Sequence, residues 1–209
     1  MQLVKSTGKK GEKSRQTRRR ILRAAYELFV DQGYGVTTLQ GVAERAGVAV
    51  QTIYFAFGNK PSLLKELVDV TIAGDDEPIP TMQRAWFLDA LATDTAEAHL
   101  LAHVRGTCEV LERVAPIMEV LRAASAQDPS LASMWPQVGD PRLEVQTVAA
   151  RSLVAKPGAK ADLSVEHAAD LLFGLLSPEL YLLFVRDRGW HQDRWEEWVH
   201  GMLHTQLCA

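Results

Sequence analysis

Apolar residues recur every three or four positions along most of this chain. Between Arg18 and Gln32 they fall at Ile21, Leu22, Ala25, Leu28 and Phe29, one helical stripe that Gly33-Tyr34-Gly35 ends. Leu39, Val42, Ala43 and Ala46 make a second, shorter stripe. Thr37 or Thr38 can cap its start, and Gly47 can end it in a left-handed residue. Val48 and Ile53 then return to the same core, and Ala43 is small enough for a close crossing. The spacing predicts a helix-turn-helix over about 38–57. Asn59-Lys60-Pro61-Ser62 is a helix start, followed by Leu63, Leu64, Leu67, Val68 and Ile72.

Beyond residue 74 the segment Gly-Asp-Asp-Glu-Pro-Ile-Pro has no periodicity and reads as a domain junction. Helical patterns follow at 85–91, 95–113 and 116–125, and from 129 past 151. Residues 164–188 are leucine-rich around most of their girth, with Pro178 expected to kink or restart the helix. A last helix spans 191–206. No segment alternates with period two, so the expected fold class is all-α. Its parts are an arm at 1–14, a helix-turn-helix domain at 15–75 and a helical domain at 76–209.

The formal net charge of -3 hides an asymmetry. Residues 1–65 carry twelve Lys and Arg against four acids, while the remainder carries eleven against 22. A basic segment of this kind points to a polyanionic partner. Much of the excess lies in the first 20 residues, read here as a disordered basic arm that can follow phosphates. No apolar run near 20 residues stands out, so no membrane span is expected, and the basic N-terminus lacks the apolar core of a secretory signal. Two distant cysteines, Cys108 and Cys208, fit a reducing cytoplasm.

Residues 15 to about 75 resemble the DNA-binding domain of the TetR family of bacterial transcriptional regulators. The resemblance rests on the run from Arg19 to Phe29, the Gly33-Tyr34 break, Thr37-Thr38, Val42-Ala43 and Ala46-Gly47-Val48. It continues through Thr52-Ile53-Tyr54, Phe57 and Lys60. It implies a homodimer that binds double-stranded, near-palindromic operator DNA, and a C-terminal domain that dimerises and holds an inducing ligand. Thr37, Thr38, Tyr54 and Lys60 are then candidates for contact with DNA, the last two and Thr37 at phosphates. Gln51, Thr52 and Phe55 face the bases. Gln51 has the amide to pair with an adenine edge, although a phosphate contact or a solvated side chain is nearly as compatible. Ala49, Gln51 and Ala56 depart from the family pattern, and Ala56 removes one expected phosphate contact.

The same resemblance places the dimer interface on the last two helices, at Leu172, Leu176, Leu180, Leu183, Trp195, Val199 and Met202. Candidate walls for a small apolar or aromatic effector are Trp86, His103, Met118, Arg122, Met134, Trp135, Phe173 and Phe184, since such pockets are apolar with few polar groups. Repression is the expected sign, because occupying a promoter blocks polymerase. The alternative is a DNA-binding activator or architectural protein without an effector.

Enzymatic signals are absent from the sequence. His99 and His103 have a zinc-compatible spacing but no third ligand, and satisfied or solvent-facing histidines fit better. No phosphate loop, nucleophile elbow or Cys-x-x-Cys pair occurs. The expectation is no catalytic residue, no metal and no cofactor.

Overall fold

The computed structural model describes residues 5–75, 77, 79–126, 128–132 and 140–209. Among these residues the secondary structure is helical, apart from one isolated bridge between Ala159 and Cys208. The helices are α1 (Lys5–Gln32), α2 (Leu39–Ala46), α3 (Val50–Phe57), α4 (Lys60–Ala73), α5 (Ala85–Ala92), α6 (Ala96–Ser125), α7 (Pro129–Ala132), α8 (Pro141–Val154), α9 (Val165–Leu175), α10 (Pro178–Leu182) and α11 (Gln192–Leu207). The chain divides into two compact units, residues 1–69 with 120–134, and residues 70–119 with 135–209.

In the first unit the predicted stripe of α1 is the core: Ile21, Ala25 and Phe29 are fully buried. They share that core with Val42, Ala43, Ile53, Leu63 and Leu64. Helix α1 begins at Lys5, so residues 5–14 of the arm expected to be disordered over 1–14 are helical, and residues 1–4 lie outside the described residues. Residues 5–14 include four Lys and one Glu, good helix formers that here outweigh Gly8 and Gly11.

The second unit is built around α6. Leu100, Val104, Cys108 and Leu111 pack with Phe87, Ala149, Ala150, Leu172, Trp195 and Val199. Two helices were expected around Pro116, but α6 runs through it unbroken. Burial of Ala115 and Ile117 on either side holds the helical path despite the missing donor. Pro178 does restart a helix as expected, with Ser177 as its cap. Five residues of π-helix, Leu183–Asp187, follow α10. The stretch Val165–Asp187 passes a length and composition test for a membrane-crossing helix, a test that core helices of soluble proteins also pass. Only 39% of its most apolar window is buried within the chain.

His99 and His103 stack in this core with ring planes 11° apart. Neither is a ligand pair in waiting. His99 Nδ1–H donates to the Ala90 carbonyl at 2.8 Å, and His103 Nε2–H donates to Gln146 Oε1 at 2.7 Å. Burial pushes the His103 imidazole down to about 4, so it stays neutral in the folded chain. An unfolded imidazole titrates near 6.5. Below that pH the unfolded state gains a proton that the folded state refuses. Stability should therefore fall as pH drops from 6.5 to about 4, with no contribution from this group above that window. His103→Gln keeps a donor for Gln146 and removes the titration. Urea midpoints measured against pH should show a shallower slope for this variant across the same window, with a residue left by His99, whose imidazole is also pushed down by burial.

Candidate functional site

The helix-turn-helix is fixed by its two turns. Thr38 lies before α2, and its hydroxyl oxygen accepts the Gly41 N–H at 3.0 Å. Gly47 ends α2 in the left-handed region at φ 63°, where a side chain would be strained. The Val48 N–H then reaches back to the Ala43 carbonyl at 3.0 Å. The chain re-enters helix at Val50. Ile53 and Phe57 anchor α3 inward, which turns the opposite face outward.

That outward face carries Gln51, Tyr54 and Phe55, spaced by three and four residues. Gln51 is exposed, Tyr54 is 55% exposed and the Phe55 ring is 95% exposed, while Thr52 is half-buried. A phenyl ring so fully in water contributes nothing to the core. Beside this face lies an open groove of about 510 Å³ lined by Thr38, Gln40, Val50, Tyr54, Asn59 and Lys60, with Gly35, Thr37 and Leu39. Amides, hydroxyls and one ammonium are the groups that pair with phosphates and base edges.

Two of the expected DNA contacts have other work. Thr37 is fully buried, and its hydroxyl bonds to the Leu28 and Gly33 carbonyls at 3.1 and 2.9 Å. Its side chain closes the loop after α1 and is not available to a phosphate. Lys60 is half-buried, with Nζ donating to the Tyr34 and Thr37 carbonyls at 2.9 and 3.0 Å. The ammonium also sits 4.2 Å from the centre of the Tyr34 ring. Burial lowers its pKa, and the charge of Asp128 opposes that effect. Lys60 ties the start of α4 to the loop after α1, leaving at most one proton for DNA.

The C-terminal residues sort in a similar way. Leu172, Leu176, Trp195 and Val199 are buried within a single chain, so they cannot form an interface with another. The helices form close to where the periodicity puts them, and these four residues face the core of the chain. Leu183 and Met202, at 47% and 43% exposed, remain available, and Leu180 is half-buried.

A cavity of about 120 Å³ lies inside the second unit, lined by Ile72, Thr81, Trp86, Thr107, Val110, Leu111, Val114, Met118, Pro141, Arg142, Val145, Gln146, Leu176 and Pro178. Trp86 and Met118, two of the expected wall residues, are among those that line it. His103 stands one hydrogen bond behind the wall, through Gln146. Phe173 lies under the Arg142 guanidinium, 4.7 Å from its carbon, and does not line the cavity. Phe184 packs instead against Trp190, Trp195 and Trp198. Arg122 is exposed and away from the lining. Met134 and Trp135 lie outside the described residues. Sequence reasoning missed Thr107, Arg142 and Gln146. Thr107 shares a face of α6 with His103, four residues earlier, which was a usable signal. Trp86 reaches the wall because position 106 is glycine: a Cβ there would sit 2.2 Å from its ring.

Lys60→Ala should destabilise the first unit by about 1–2 kcal/mol, since it removes two charge-assisted bonds. Thermal or urea melting of the variant checks this. Gln51→Ala, on an exposed face, should melt like the parent.

Residues 21–67 match the family described as bacterial regulatory proteins, tetR family. The uncharacterised HTH-type transcriptional regulator YdeS of Bacillus subtilis is 26% identical over 172 residues, 81% of this chain and 79% of its own. Among solved structures, NalD of Pseudomonas aeruginosa, the secondary repressor of the MexAB-OprM multidrug efflux pump, is similar over 94% of this chain and 98% of its own, with a TM-score of 0.64 at 22% identity. The regulator FadR of Bacillus subtilis, solved in complex with stearoyl-CoA, is similar over 88% and 96%, with a TM-score of 0.65 at 20% identity. The match over residues 21–67 identifies the helix-turn-helix unit as similar to the tetR-family DNA-binding domain, and nearly the whole chain shares the fold of solved TetR-family regulators.

Proposed function

We propose that this chain is a cytoplasmic, ligand-responsive repressor that binds a near-palindromic operator as a homodimer. The observation that carries the reading is the outward face of α3, where Gln51, Tyr54 and Phe55 stand exposed on a helix whose other side is locked in the core. A helix presented this way fits a major groove, and two-fold symmetry brings two of them to half-sites about 34–36 Å apart. The Thr38 hydroxyl and the Tyr54 phenol supply donors for the phosphates beside it. Two unused apolar positions, Leu183 and Met202, support the dimer. So does the apolar segment Val165–Asp187, which one chain buries only in part.

The cavity supplies the switch. Ile72, near the end of α4, lines it, and the first residue of the same helix is Lys60. An α-helix is stiff, so a ligand that displaces Ile72 moves Lys60 and, through it, the Tyr34 and Thr37 carbonyls. The loop that carries those carbonyls leads directly into α2. The ligand then favours the arrangement in which the two heads no longer match successive grooves. Such couplings are typically about 1–3 kcal/mol.

The reading is tested by sequencing the DNA that the protein retains from its own genome and comparing variants on the recovered site. Gln51→Ala should relax the preference at one base pair by about 1–3 kcal/mol and leave non-specific binding unchanged. An equal loss on every sequence would remove Gln51 as a base reader. Leu183→Glu should give monomers in sedimentation and lose operator binding, because an unpaired charge at an apolar interface costs several kcal/mol. A parent protein that sediments as a monomer at micromolar concentration and still binds the operator would overturn the dimer.

A further inference from the structure

The polar groups around the cavity are unbalanced, and the imbalance describes the molecule that fits it. Thr107 is 8% exposed, and its hydroxyl has no hydrogen-bond partner although it lines the cavity. Arg142 Nη1 is buried and has none either, with Glu179 Oε2 3.8 Å away. Gln146 has committed its carbonyl oxygen to His103, so the end it can turn elsewhere is its amide donor. Each of these groups has a proton to give. A buried donor left unmade costs free energy that a matching acceptor recovers.

Charge narrows the class further. The Arg142 guanidinium is already matched: Asp140 takes Nε and Nη2 at 2.9 and 2.7 Å. With Glu179 included, the cluster carries one more negative charge than positive. A carboxylate entering beside it would be buried near two others. Among the described residues no acidic side chain lines the cavity, and Asp140 and Glu179 are already turned to Arg142, so an ammonium would meet no uncommitted carboxylate at the wall. Trp86, Val110, Met118 and Leu176 make the rest of the wall apolar. A cavity of this size holds roughly a single ring.

We propose that this cavity selects a small, uncharged, single-ring molecule carrying a hydrogen-bond acceptor, which the Thr107 hydroxyl and the Arg142 Nη1–H group recognise. The proposal rests on the reading of the cavity as the effector site and names the class of effector.

Three probes of nearly equal size separate the possibilities. Acetophenone carries a neutral carbonyl, isopropylbenzene has the same shape without an acceptor, and benzoate replaces the ketone with a charge. Their binding to the full chain is measured by calorimetry at neutral pH, alongside retention of operator DNA. Acetophenone should bind about tenfold or more tighter than either of the others. Thr107→Val should bring acetophenone down to the level of isopropylbenzene without changing isopropylbenzene itself. Thr107→Ser should keep the preference, which controls for altered packing.

Val110→Trp, which fills the cavity, should abolish binding of all three. If isopropylbenzene binds as well as acetophenone, or Thr107→Val leaves their ratio unchanged, acceptor recognition is overturned while the cavity stands as a ligand site. Tighter binding of benzoate would overturn the uncharged class. Binding of none of the probes to the parent chain would overturn this proposal and take from the effector reading its support in the cavity. Acetophenone that binds Val110→Trp unchanged would place the ligand elsewhere and overturn both.

Discussion

Arg18, Arg20 and Lys60 each give protons to backbone carbonyls where a helix ends or a loop turns. Arg20 reaches the Ala46 and Gly47 carbonyls at the end of α2. Arg18 reaches the Ala56 carbonyl at the end of α3, lies 4.6 Å from the Phe57 ring and pairs with Glu66. Lys60 holds the loop after α1. The last carbonyls of a helix lack partners inside it and carry the negative end of its dipole, so a cation is a strong partner for them. These contacts set where α3 points. A base-reading helix must be held to well under the width of a groove, and α2 and α3 have only two turns each. Helices that short have little stability of their own, so tertiary ties must supply it.

The same device recurs in the second unit. Lys156 donates to the Leu91 and Thr93 carbonyls at the end of α5, and Lys160 to Thr205 near the end of α11. The positive charge of the N-terminal region therefore has two uses. From the sequence alone the whole excess reads as attraction to a polyanion, yet Arg18, Arg20 and Lys60 spend theirs partly on the fold. Exposed Lys13 and Arg15 on α1 are better placed to serve the phosphates.

What was legible in the sequence follows the range of the interaction involved. The left-handed Gly47, the Asn59 helix start and the restart at Pro178 depend on a few neighbouring residues and stand where the spacing put them, and of the two candidate caps, Thr37 and Thr38, it is Thr38 that caps α2. The inward stripe of α1 depends on period alone and is also correct. Several of the errors concern partners that spacing does not reveal. Thr37 differs from Thr38 only in which way the chain turns after Gly35, yet one is buried and the other exposed. Leu172 and Leu183 are both leucines on apolar helices. Only the packing of α9 against α8 and α11 decides that the first is core. Gln146 cannot be read as a partner of His103 across 43 residues.

The size of the cavity limits what an effector can do. A ligand moves an equilibrium only by the difference between its affinities for the two arrangements, however tightly it binds. A single ring offers few contacts, and even very efficient small ligands gain at most about 1.5 kcal/mol per non-hydrogen atom. Much of that gain is apolar contact with Trp86, Val110 and Met118, which lie on α5 and α6. Contact made equally in both arrangements contributes affinity and no switching. Ile72 is the wall residue that belongs to α4, so the differential part must come from contacts that depend on where Ile72 sits. On the proposed reading, binding and induction would rest on different walls of one cavity. A ligand too small to press on Ile72 would bind the protein and leave it on its operator.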